Sequence, residues 1–176
     1  MSVRDAILLH SGLVLYAAAA ALLFAAVRRG SAPLLSAGRA GLLAAAAAHG
    51  SLFLLRGHFP PASLFEFALL LEVALTAVAL AIDLAGKMPI LSVGCAPTAL
   101  AFGLVAALVG GPAGPRPEKV AGSSAALHVG VSLAAFGAFA LAFVCGLLYL
   151  FERRQLKGRA AAPILGFMPS LEALYR

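Results

Sequence analysis

Long apolar stretches alternate along the chain with short polar or turn-forming segments, and the apolar ones cover residues 6–27, 34–55, 63–84, 89–109 and 124–151. Each is about 20 residues or longer, enough at roughly 1.5 Å per residue to cross the hydrocarbon core of a bilayer. Hydrocarbon offers the backbone no partners, so a single segment that crosses it must satisfy its own amides as an α-helix. The expected fold class is therefore all-α, a polytopic helical membrane protein of about five transmembrane helices. Residues 1–159 would form the membrane domain, and 160–176 a tail that reads as the approach to a further helix. The first stretch is too long for the apolar part of a secretory signal and runs straight into Arg28 and Arg29, so it is expected to be retained.

Composition agrees. The chain is 62% hydrophobic and 11% charged, with a mean hydropathy of +1.01, whereas soluble domains carry roughly twice that charged fraction. The connections are short. Gly30 and Pro33 break the first, residues 85–88 make a tight turn, and 110–123 holds Gly110, Gly111, Pro112, Pro115 and Pro117, an irregular loop too short for an external domain. Arg28, Arg29, Arg39, Lys87, Arg153, Arg154, Lys157, Arg159 and Arg176 fall on one side of this topology, against Arg4, Arg56, Arg116 and Lys119 on the other. Positive loops stay cytoplasmic, which puts the N-terminus outside and the C-terminal segment in the cytoplasm. The net charge of +6 is that basic rim against anionic lipid, and nucleic acid is not implied.

Small side chains allow close helix contact in lipid. The alanine runs 17–21 and 44–48, and Gly130, Ala134 and Gly137 in the fifth stretch, predict such packing. Cys95 and Cys145 lack any CxxC spacing and read as packing residues.

Candidate chemistry lies with histidine. His10 and His128 fall about one turn in from the outer ends of the first and fifth stretches, His49 about 10 Å below the outer end of the second, and His58 in the outer loop. A neutral imidazole can ligate iron through one nitrogen, and two facing histidines can clamp a heme. Among the acids, Glu66 lies near the outer end of the third stretch and Glu72 near its middle, where a carboxylate needs a partner. Six residues apart, they do not share a helix face. Glu72 is open to being a protonated acid, a proton-relay residue or a partner of Tyr16. Asp83 and Lys87, four residues apart, read as an ion pair at the inner rim.

The run Gly57-His58-Phe59-Pro60-Pro61-Ala62-Ser63-Leu64-Phe65-Glu66 resembles the outer-loop signature of the cytochrome c assembly membrane proteins, roughly Gly-x-x-Pro-x-x-Asn-x-Tyr-Glu, with Ser63 in place of asparagine. A second block, Leu127-His128-Val129 through Leu148-Tyr149-Leu150, Glu152 and Leu156-Lys157, is similar to that family's His-Val helix and its basic exit, and Pro169-Ser170-Leu171-Glu172 to the segment that follows. The resemblance implies heme handling in a bacterial cytoplasmic membrane, with His128 standing where CcsA-like members place an outer heme-holding histidine. Those members carry a tryptophan-rich external segment. This chain has no tryptophan, so it resembles the HemX-like branch, linked to heme biosynthesis and cytochrome c maturation. Family members continue through further spans, so the chain resembles a C-terminally shortened member. The implied cofactor is heme, ligated by His128 with His49 or His10 opposite and His58 as a weaker candidate. Glu66 would fix a histidine tautomer by hydrogen bonding. Implied partners are other cytochrome c assembly membrane proteins, apocytochrome c and the lipid bilayer.

No GxSxG, P-loop, HExxH or Ser-His-Asp spacing is present, so the expectation is an accessory protein and not a self-contained catalyst. Two other classes stay open. One is a small transporter or channel subunit using Glu72 and Glu66, with Pro97 marking a broken helix; the other is a structural subunit docking through small-residue faces.

Overall fold

The computed structural model describes residues 2–56, 61, 63–86, 88–110 and 123–157. Among them are α1 (Val3–Arg29), α2 (Ala32–Arg56), α3 (Leu64–Gly86), α4 (Pro89–Val109) and α5 (Ser123–Lys157), and no strand. All five helices are long and apolar enough to cross a membrane. The chain is an all-helical integral membrane protein. His58, Lys87, most of the 110–123 loop and the tail 160–176 lie outside the described residues.

Local chemistry sets the helix ends. Ser2 and Asp5 form a capping box at the start of α1: Asp5 N–H donates to Ser2 Oγ at 3.1 Å, and Ser2 N–H to Asp5 Oδ2 at 3.2 Å. Gly30 closes α1 in the left-handed region, φ 60°, and its N–H returns to the Ala26 carbonyl. Arg28 and Arg29 occupy the last turn, where cations complement the helix dipole. Ser63 caps α3 by accepting the Glu66 N–H at 3.3 Å. Serine is a good N-cap because its hydroxyl accepts a first-turn backbone N–H. The helix α4 runs through Pro97 without a break, and Thr98 Oγ1 donates to the Gly94 carbonyl beside it at 3.3 Å.

Helices α1 to α4 form an antiparallel ring in which each packs on the next and α4 returns to α1. The α1–α2 contact is the tightest kind: a Cβ on Gly38 would fall 2.6 Å from Leu23 Cγ, and one on Gly41 3.1 Å from the Ala19 Cβ. Ala19 and Ala20 of the first alanine run and Ala45 and Ala46 of the second are buried, so one face of each run packs while Ala17, Ala18, Ala21, Ala44 and Ala47 face outward. By contrast, α5 lies outside the ring against α3 and α4, with the Phe136 and Phe67 rings edge to face at 5.7 Å. Val144 joins Leu75, Ala79 and Cys95 in its docking cluster. Only 6% of its span is buried, against 50% for α3 and α4. Among the described residues, a Cβ on Gly130 or Gly137 would meet nothing within 4 Å, so these glycines are not needed for packing against them.

Asp83 is not a rim residue. It is fully buried, and Arg39 of α2 donates to it through Nε, at 2.9 Å to Oδ2, and through Nη2 to Oδ1, while Ser92 of α4 donates its hydroxyl to Oδ2. Asp83 faces α2 and α4 across the bundle and pairs there with Arg39; the expected partner Lys87 lies outside the described residues. The fork ties α2, α3 and α4 together at the Gly30 end of the bundle.

Candidate functional site

Toward the Ser2 end, between an apolar cluster around Leu9, Phe65 and Leu69 and the larger one around Tyr16, Leu23 and Leu42, the bundle buries a second polar set. His49 of α2 is 0% exposed, with Nδ1 2.9 Å from Glu72 Oε2 of α3 and Nε2 3.0 Å from the Leu9 carbonyl of α1. A carbonyl only accepts, so Nε2 carries a hydrogen and donates it to Leu9. The ring lies where α1 has no side chain: a Cβ on Gly12 would be 2.1 Å from Nε2 and 2.2 Å from Cδ2.

Glu72 is equally buried. Its carboxyl lies against α4 at Gly103, where a Cβ would meet Oε2 at 2.9 Å and Oε1 at 3.0 Å. Oε2 engages His49, and Oε1 meets no hydrogen-bond partner among the described residues. One turn further along α3, Thr76 Oγ1 and the Tyr16 hydroxyl share a hydrogen bond of 3.0 Å, and the Tyr16 ring is tilted 45° to the His49 ring with centroids 5.7 Å apart. Glu72 thus pairs with His49, and Tyr16 with Thr76.

The other histidines have different settings. His10 is exposed on α1, and its Nδ1–H donates to the Ala6 carbonyl at 2.7 Å. Bonded this way, the neutral ring leaves Nε2 bare. His128 is exposed on α5. Helix α5 packs on α3 and α4, whereas His49 stands on α2 and His10 on α1. The structure does not bring His128 together with His49, or with His10 beside Leu9. Glu66 is buried at the start of α3. Among the described residues no three His, Cys, Asp or Glu side chains converge on a metal-sized point.

Several members of the buried set have no sequence motif. The Leu9 carbonyl and the glycines at 12 and 103 are backbone features, silent in any side-chain pattern. The His49–Glu72 pairing did leave a signal. His49 is seven residues before the end of α2 at Arg56, and Glu72 eight residues after the start of α3 at Leu64, so an antiparallel hairpin places them level.

These features define an integral membrane protein with a buried polar core and exposed histidines. A 47-residue stretch of the chain is 38% identical to protein HemX of Brevibacillus brevis; it makes up 27% of this chain and 17% of that protein's length. The chain thus matches well under two thirds of that relative. No protein-family model matches the chain, and no solved structure does.

Proposed function

We propose that this chain handles heme in the membrane, holding or relaying it in cytochrome c biogenesis. The observation that carries the proposal is His10. An imidazole ligates a metal through one bare nitrogen, and ligating histidines characteristically donate the other ring N–H to a carbonyl or carboxylate, which fixes tautomer and orientation. His10 has that arrangement on an exposed helix face. The donor set therefore fits an iron ligand, and the partial similarity to HemX supports heme as the group.

In this reading Nε2 of His10 binds the iron and the Ala6 carbonyl holds the ring. His128 offers a second, separate ligand position, and Glu66 keeps its proposed part as a carboxylate orienting a histidine ring. Heme, when bound, supplies the iron and its electron chemistry; the chain supplies position. His49 is internal, since its Nε2–H is committed to Leu9 and its Nδ1 to Glu72. Proposed partners are other cytochrome c assembly membrane proteins and apocytochrome c.

Titration of hemin into the detergent-purified protein, followed by absorption, tests this. The wild type should take up hemin with a shifted Soret band, and His10→Ala should weaken uptake at least about tenfold, a loss of about 1.4 kcal/mol. Failure of the wild type to bind, or unchanged binding in both His10→Ala and His128→Ala, would refute it.

A further inference from the structure

The buried set at His49 has a property that heme handling does not use. Because Nε2–H is committed to the Leu9 carbonyl, the 2.9 Å contact between Nδ1 and Glu72 Oε2 holds one hydrogen. That hydrogen has two positions. On Oε2 the pair is neutral, a carboxylic acid donating to a bare Nδ1; on Nδ1 it is imidazolium and carboxylate. Movement between them leaves every heavy atom in place and the total charge unchanged.

The second carboxyl oxygen makes this more than an internal exchange. Glu72 Oε1 is buried and lacks a hydrogen-bond partner among the described residues. A buried acceptor left bare costs free energy, which a donor or a proton arriving there relieves. With Nδ1–H donating to Oε2, a second proton fits on Oε1 without displacing any existing hydrogen bond. The titratable and polar groups facing the pair can be named from every element packed on it. They are Tyr16 and the Leu9 carbonyl from α1, and Thr76 one turn along α3. From α4 comes only Gly103, and no Lys or Arg among the described contacts. Among the described residues no fixed cation locks the carboxylate in its charged form, unlike Asp83 under Arg39.

We propose that His49 and Glu72 form a proton-binding site in the membrane interior, which takes up and releases a proton at Glu72 Oε1 and passes it through the carboxyl group to His49 Nδ1. Its ligand is the proton itself, delivered by water. No oxidant or reductant is involved: an O–H bond forms at Oε1 as the Oε2–H bond breaks, and the Oε2 proton ends on Nδ1. The site is independent of heme.

Infrared difference spectroscopy of the full chain in lipid, between acidic and alkaline buffer, tests it. The expected result is a protonated-carboxyl C=O band that rises or shifts in frequency with acid, as the O–H held against Nδ1 gives way to one on Oε1, moves in deuterium oxide, and comes with changes in histidine ring bands. Glu72→Gln should abolish the band. Glutamine keeps the size and can donate to a bare Nδ1, so the fold should persist. If that variant does not fold, uniform 13C-glutamate labelling of the wild type and the Glu66→Gln variant replace it: the band should shift with the label and survive in Glu66→Gln. A band unaffected by Glu72→Gln, a band lost in Glu66→Gln, or a carboxyl and histidine signal constant across the pH range would each overturn the proposal.

Discussion

Replacing Gly12 with alanine should destabilise the bundle by about 3–5 kcal/mol, near the upper end for any single added methyl group. The new Cβ would sit 2.1 Å from His49 Nε2, well inside contact distance. A flexible side chain could swing away from such a clash at little cost. His49 cannot, because Leu9 and Glu72 hold both ring nitrogens and the ring is fully buried. Moving it strips Glu72 of its partner as well, leaving a carboxyl group bare in an apolar bundle. Unfolding titrations in mixed detergent would read the loss as a lower midpoint. In a His49→Ala background the same glycine change should cost less than about 1 kcal/mol, because the clash is gone, and the difference between the two measures the coupling.

The second large effect is expected at Asp83. Changing it to alanine leaves the Arg39 guanidinium and the Ser92 hydroxyl facing a gap, and breaking a buried pair by removing one member typically costs about 3–5 kcal/mol. The low end, about 3 kcal/mol, applies here, since the Arg39 side chain is 22% exposed and can recover some solvation. Converting both members to apolar residues, Arg39→Met with Asp83→Leu, should restore most of the loss, because replacing the charge pair whole leaves no unpaired charge and only the Ser92 hydroxyl without its partner. The same detergent titration distinguishes the two cases.

Hydrophobic periodicity made the helices legible because a bilayer permits little else. The expected stretches 6–27, 34–55 and 63–84 lie within a few residues of α1, α2 and α3, and 89–109 coincides with α4. The polar partnerships were harder to read. Asp83 and Lys87 satisfy the helical spacing rule, but that rule is blind to the neighbouring helix, and Arg39 lies opposite. Arg39 is 17 residues before the end of α2 and Asp83 19 residues after the start of α3, so folding the hairpin about its connection would have matched them, as it would His49 with Glu72. Depth counting put His10 and His49 near one level, and the Leu9 contact agrees. It could not tell that one ring faces out and the other in. That distinction comes from the glycine at 12, which admits a ring from α2 on the inward face of α1.

The histidines thus divide by environment. His49 is committed to the fold by two hydrogen bonds and belongs to the buried proton pair. His10 and His128 are exposed, and on His10 a carbonyl fixes the tautomer with Nε2 bare. Heme handling and proton binding are separate properties of separate residues in this account, and each can fail without the other.

The most direct test of this division is nitrogen NMR of 15N-histidine-labelled protein in detergent, before and after hemin. His10 should show a protonated Nδ1 and a bare Nε2 whose signal shifts or is lost on addition of hemin, while the His49 signals show hydrogen bonding at both nitrogens and stay in place. A response at His49 with His10 unchanged would contradict the account.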